Sequence, residues 1–191
     1  MLRRLLPVLA TILLLAGCSG DPAPTPPPAE DTSPVASTPQ SPQRPTEAPA
    51  AADPVDLSAG YRHPCATLTD AQQKQLGFRP APEERADESV GTCNWAKKYV
   101  LRLHPHADPL ADAYRDSNSQ QWKVFEPREV HGVPAVVRAA AAGAGPCEVV
   151  VGVSRGQGVV ITGNKADAKL CDRLVQAAGF VVDTLRRWQG V

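Results

Sequence analysis

The chain has 191 residues, 20 of them basic and 20 acidic, and so a formal charge of zero. That balance excludes the electrostatic footprint of a nucleic-acid-binding protein and of a polyanionic tail. Aromatic residues make up only 5%, so a core has to rest on Val, Leu, Ile and Ala, with few stacking platforms for sugars or bases.

Arg3 and Arg4 form a positive region ahead of an apolar run, Leu5 to Ala16, interrupted only by Pro7 and Thr11. A run of about a dozen residues is too short for a hydrocarbon core that needs roughly 20. Residues 1–17 are therefore expected to be a signal peptide, not a permanent span. The polar and aromatic residues that frame twin-arginine signals are missing, since Leu5 and Leu6 follow directly; general secretory export is expected.

The run ends in Leu15-Ala16-Gly17-Cys18, which resembles the bacterial lipobox: a branched apolar residue, two small residues that fit a peptidase cleft, then the acylated cysteine. Cys18 is the expected lipidation site, because a thiol is the nucleophile able to take a diacylglyceryl group. Two or three acyl chains such as palmitate, at about 0.8 kcal/mol per buried CH2, hold a protein stably in a bilayer. The expected address is the extracytoplasmic face of a cell membrane, with the membrane itself as a partner through the anchor.

Residues 18–54 read as the lipidated cysteine and a disordered linker. From Ser19 to Pro54 the chain is rich in Pro, Ala, Thr and Ser and has no Leu, Ile, Phe, Trp or Tyr, a composition that cannot form a core. Its prolines favour an extended polyproline spacer, about 100 Å long at roughly 3.1 Å per residue.

Residues 55–191 fit one globular domain. Thr69 to Gln72 is a capping-box pattern opening a short helix that runs to Leu76, with Gly77 as its C-terminal cap. Thr92 to Trp95 and Tyr99 to His104 are expected strands, the second with Tyr99, Leu101 and Leu103 on one face. Asp108 caps a helix with Pro109 at its first position, running through Tyr114. Trp122 to Phe125, Glu129 to Val130 and Ala135 to Arg138 are short candidate strands around a turn at His131-Gly132.

A hairpin follows, Cys147 to Val153 alternating into one face and Val159 to Thr162 returning after a turn over Ser154 to Gly158. Asn164 is the expected cap of a last helix whose stripe is Leu170, Leu174, Ala177, Ala178, Val181, Leu185 and Trp188. The sum is an α+β fold: an antiparallel sheet packed against a long C-terminal amphipathic helix, with short N-terminal helices.

With Cys18 set aside, Cys65, Cys93, Cys147 and Cys171 remain, an even set that permits three pairings. Two disulfides are expected in an oxidising compartment. Sequential pairing, Cys65 with Cys93 and Cys147 with Cys171, is preferred; each bond closes a loop worth about 3 to 4 kcal/mol in the chain-entropy reckoning. No cysteine pair has the C-x-x-C spacing of a zinc or redox site, so neither metal nor cofactor is expected.

Other chemistries fail on context. Gly152-Val153-Ser154-Arg155-Gly156 matches the G-x-S-x-G nucleophile elbow, but a strand follows where a helix is needed, and no histidine lies beyond His131. Ser154 as the centre of a hydrolase is thus a remote alternative. His104 and His106 lack a third ligand and are expected to face solvent. Asp108 and Asp112 lie a helical turn apart, yet Asp108 is employed as a cap. Trp95 beside Cys93 is expected to pack in the core, not to form a ligand platform. No catalytic residue is assigned.

The stretches His63-Pro64-Cys65-Ala66-Thr67-Leu68-Thr69, Thr92-Cys93-Asn94-Trp95 and Val130-His131-Gly132-Val133-Pro134-Ala135, with Cys147 and Cys171, resemble an actinobacterial lipoprotein family known as domain of unknown function 3558. The likeness implies an envelope lipoprotein with paired half-cystines, some relatives of which modulate envelope-stress signalling, and it carries over no catalytic residues. Gln72-Gln73-Lys74-Gln75 makes the first helix more polar than the family's pattern. The expectation is a non-enzymatic interaction or regulatory module whose partner is an envelope protein or cell-wall component, not nucleic acid. The alternative is a carrier of a small apolar ligand between sheet and helix.

Overall fold

The structure is a computed structural model and describes residues 43–190. The expected signal peptide, Cys18 and the first part of the expected spacer lie outside the described residues.

Local hydrogen bonding starts the helices where side chains can satisfy free amides. Thr69 Oγ1 accepts from the Gln72 amide at 3.3 Å while Gln72 Oε1 accepts from the Thr69 amide at 2.8 Å, opening α1 (Asp70–Leu76). Gly77, at φ 70°, closes it in the left-handed conformation that glycine adopts without strain. Asp108 Oδ1 accepts from the Ala111 amide at 2.9 Å and opens α2 (Pro109–Arg115). α3 spans Ala168–Gln189 and is capped by Asp167, whose Oδ1 accepts from the Leu170 amide at 3.0 Å. The expected cap, Asn164, is held instead by its own amide on the Lys98 carbonyl at 3.2 Å, an extension of the sheet that forbids a helix there.

Seven strands form one antiparallel sheet: β1 (Glu83–Ala86), β2 (Gly91–Trp95), β3 (Tyr99–His104), β4 (Val124–Val130), β5 (Val133–Ala139), β6 (Cys147–Ser154) and β7 (Gln157–Gly163), in the order β1-β2-β3-β7-β6-β5-β4. β1 has no apolar alternation, its four residues being exposed, and forms by pairing along β2. The short segments expected around His131-Gly132 are two seven-residue strands whose two-residue turn has positive φ at both positions. Pro127 sits in the middle of β4, tolerable because β4 is an edge whose outward amide pairs with no strand. The β6–β7 turn is Arg155-Gly156, tighter than the expected five residues.

Alternation along the strands divides the interior in two. Tyr99, Leu101, Leu103, Val149, Val151, Val159 and Ile161 face α3 and meet its stripe Leu170, Leu174, Ala177, Ala178, Val181 and Leu185 in the larger cluster. Trp188, expected on that stripe, lies beside Gly60 and is 41% exposed. The opposite face carries a smaller cluster, Leu110, Ala113 and Tyr114 of α2 on Val136, Val150 and Val160. β6 is consequently buried on both faces and not half-exposed. The expected α+β architecture stands, with α2 as a second, partial layer. Cys65–Cys93 ties the turn Pro64–Thr67 to β2, and Cys147–Cys171 ties β6 to α3, with Cα separations of 5.0 and 5.8 Å.

The spacer expected to run through Pro54 ends earlier. Arg44 reaches three main-chain carbonyls of the loop between α2 and β4. Ala48 packs against the smaller cluster and Ala51 against the larger. A lone arginine and well-spaced alanine methyls give this proline-rich stretch a seat that its composition does not advertise.

Candidate functional site

Ser154 ends β6 at the hairpin turn. Its Oγ donates to Gln157 Oε1 at 3.0 Å, the same oxygen that accepts from the Leu57 amide at 3.0 Å, while Gln157 Nε2 donates to Asp56 Oδ1 at 3.2 Å. The serine thus braces a turn and the chain that enters the domain. β7 follows it in place of the helix an elbow requires. The Ser58 hydroxyl and amide, with Gln157, hold Asp56 below the ordinary carboxylate value.

His104, expected to face solvent, is half-buried at the end of β3 opposite Gly158, which abuts Pro109. Burial, reinforced by the charge of Arg102, holds its imidazole below the ordinary histidine value. His106 is exposed. Among the described residues no three His, Cys, Asp or Glu side chains are placed to share a metal ion. Asp108 is occupied as the α2 cap, and Asp112 pairs with Arg115. Trp95 is fully buried; its Nε1 donates to Gln73 Oε1 at 3.0 Å, and its ring lies 5.0 Å from that of Phe78, which stacks on Tyr99 at 4.3 Å.

Two constellations were not legible in the sequence. Across β5 and β6 the half-buried Arg138 binds Glu148 at 2.8 Å and lies 4.3 Å over the Trp122 ring, while Thr162 Oγ1 donates to Glu148 at 3.2 Å. At the β4–β5 turn His131 Nδ1 donates to Asp183 Oδ1 at 2.7 Å. That dyad has the look of an oriented base, but Nε2 is pressed against α3: a Cβ placed on Gly179 would stand 2.6 Å from it. The nitrogen that would have to meet a substrate faces a helix backbone, so the pair clasps the hairpin to α3.

A cleft of about 240 Å3 opens at the margin between β4 and α3, lined by Val124, Val137, Ala139 and Val175 with Glu126 and Asp172. It is smaller than the roughly 300–1,000 Å3 of ordinary small-molecule sites. A second gap, of about 460 Å3, lies between the Ala48–Pro54 stretch, α2 and the β6–β7 turn. These are contact surfaces and hydrogen-bonded braces, and among the described residues named above none joins a nucleophile, a base and an oxyanion donor.

The model of a family described as protein of unknown function, DUF3558, matches residues 13–184. The chain belongs to that family, and the match spans the whole sheet and most of α3. No curated protein matches, and no solved structure does either.

Proposed function

We propose that this chain is a lipid-anchored extracytoplasmic lipoprotein whose domain acts as a non-catalytic interaction or regulatory module at the cell envelope. The observation that carries the reading is the sequence Leu15-Ala16-Gly17-Cys18 behind a short apolar leader. Two disulfides in the domain support it, since such bonds persist in oxidising compartments. The engagement of Ser154, Asp108 and His131 in structural contacts supports a role through surface recognition.

The test is the mass of the mature N-terminus in the native host, with labelled palmitate supplied to wild type and Cys18→Ala. The reading expects thioether-linked acyl chains on Cys18, loss of label in the variant, and cleavage of the domain by a protease added to wall-stripped cells. An unacylated N-terminus, or a domain protected inside intact cells, overturns it. The apolar lining of the β4–α3 cleft, not its size, supports a second reading, a carrier of a small apolar ligand; native mass spectrometry of undenatured protein would show a bound species, and a bare chain counts against it.

A further inference from the structure

The stretch Arg44–Pro54 is seated on the domain like a guest peptide. Arg44 Nη1 donates to the carbonyls of Ser117 at 2.8 Å and Trp122 at 3.0 Å, and Nη2 to that of Lys123 at 3.0 Å. Its amide donates to Asn118 Oδ1 at 3.3 Å, and its guanidinium lies 5.8 Å from the Phe125 ring centre. Every acceptor is neutral and main-chain or amide, so the socket reads the fork and plane of a guanidinium, not simply a positive charge.

Beyond Arg44 the attachment is thin. Among the described residues, no main-chain hydrogen bond joins positions 45 to 54 to the rest of the domain until the Val55 amide meets the Val153 carbonyl at 2.7 Å. Pro45, Pro49 and Pro54 lack amides, and the stretch bends at Glu47 and again at Ala52–Asp53. Beneath it a gap of about 460 Å3 remains, with Ala48, Pro49 and Ala51 on one side and Leu110, Ala111 and Gly152 on the other. Val55 and Leu57, by contrast, are buried in the larger cluster.

We propose that this surface is a recognition groove for a proline-rich peptide led by an arginine, occupied in cis by residues 44–54, and that an external peptide of that chemistry displaces the resident one. The resident segment wins at rest because it is tethered at Val55 and so present at high effective concentration. The proposal deepens the interaction-module reading by naming the partner's chemistry. It does not depend on the lipid anchor, so either can fail without the other.

The test uses the full chain, wild type and Arg44→Ala, with Arg44→Lys as the milder variant. Amide relaxation of residues 46–53 is measured, followed by titration with a synthetic peptide of residues 43–54. Arg44→Ala is expected to set those amides in fast motion while sheet amides stay rigid. The peptide is expected to shift Asn118, Phe125 and the Trp122 indole N–H saturably in the variant and to bind wild type at least tenfold more weakly. The same peptide with alanine for its arginine should not bind, and Arg44→Lys should fall between. A segment that stays rigid in Arg44→Ala, a peptide that binds neither chain, or one that binds both equally would overturn the proposal.

Discussion

Asp183 on α3 accepts a hydrogen bond from His131 Nδ1 across 52 positions of the chain. Close by, Arg186 Nη1 donates to the His131 carbonyl at 2.5 Å. The β4–β5 hairpin, the outer edge of the sheet, is thereby fastened to the helix that covers its neighbours. Gly179 is what lets the ring lie so close to the helix.

Gly179→Ala places a Cβ 2.6 Å from His131 Nε2 and 2.9 Å from Cε1, forcing the ring outward and breaking the Asp183 bond. A helical alanine gains about 1 kcal/mol over glycine, while losing this solvent-exposed His–Asp bond costs no more than about 1 kcal/mol. The substitution should therefore leave the wild type close to unchanged and stabilise His131→Ala by about 1 kcal/mol. Urea unfolding of the double-mutant cycle checks this; additive effects would refute the contact.

His104 titrates below its ordinary value of 6.5, chiefly through burial and secondarily through Arg102. Above 6.5 both folded and unfolded chains hold the ring neutral and it contributes nothing. As pH falls through 6.5, the unfolded chain takes a proton that the folded chain resists, and stability is lost. The wild type should lose more stability than His104→Gln between about pH 7.5 and about pH 5.5 in paired urea titrations. Equal losses would place the ring in open solvent.

Gly91→Ala meets backbone. Its Cβ would lie 1.9 Å from the Tyr61 carbonyl oxygen and 2.8 Å from the carbonyl carbon, so the chain crossing the end of β2 has to move. A loss of about 3 kcal/mol or more is expected. Gly143→Ala, at φ 75° with nothing within 4 Å of the added carbon, should cost about 1 kcal/mol through backbone strain alone. Thermal unfolding of the pair ranks them, and the reverse order would be fatal to this packing.

Gln73 bridges the Leu68 carbonyl, to which its Nε2 donates at 2.8 Å, and the Trp95 indole N–H. Gln73→Ala leaves both without a partner in the interior and should destabilise by about 2–3 kcal/mol. Gln75→Ala, on the exposed side of the same helix, should change stability by less than about 0.5 kcal/mol. Equal effects in chemical unfolding would deny Gln73 its buried role.

Replacing Cys147 and Cys171 together with alanine removes a cross-link over 24 positions, and replacing Cys65 and Cys93 one over 28. Loops of this size are each worth about 3 to 4 kcal/mol. Each double variant should lower the urea midpoint, with a slope steeper than wild type because the uncrosslinked unfolded chain exposes more surface, and an unmoved midpoint would mean the bonds do not form.

The polar run Gln72-Gln73-Lys74-Gln75 shows how far reading alone goes. The role of Gln72 is legible because a capping box closes within three residues. That of Gln73 is not, because its partner Trp95 lies 22 positions away on β2. Asn164 misleads for the same reason: it is as good a cap by type as Asp167, and only the pairing of β3 with β7 disqualifies it.

What the chain determines by itself is whatever closes over a few residues: the caps at Thr69 and Asp108, the glycine stop at Gly77, the alternation of β3 and the existence, though not the tightness, of the β6–β7 hairpin. What tertiary structure decides are the joins whose two halves are distant in sequence and individually unremarkable: β1 recruited by β2, the second buried face of β6, Asp183 against His131 and Arg44 in its carbonyl socket. Short-range bonds depend on backbone geometry that residue type dictates. Long-range ones exist only once the sheet order has brought their partners within a few ångströms.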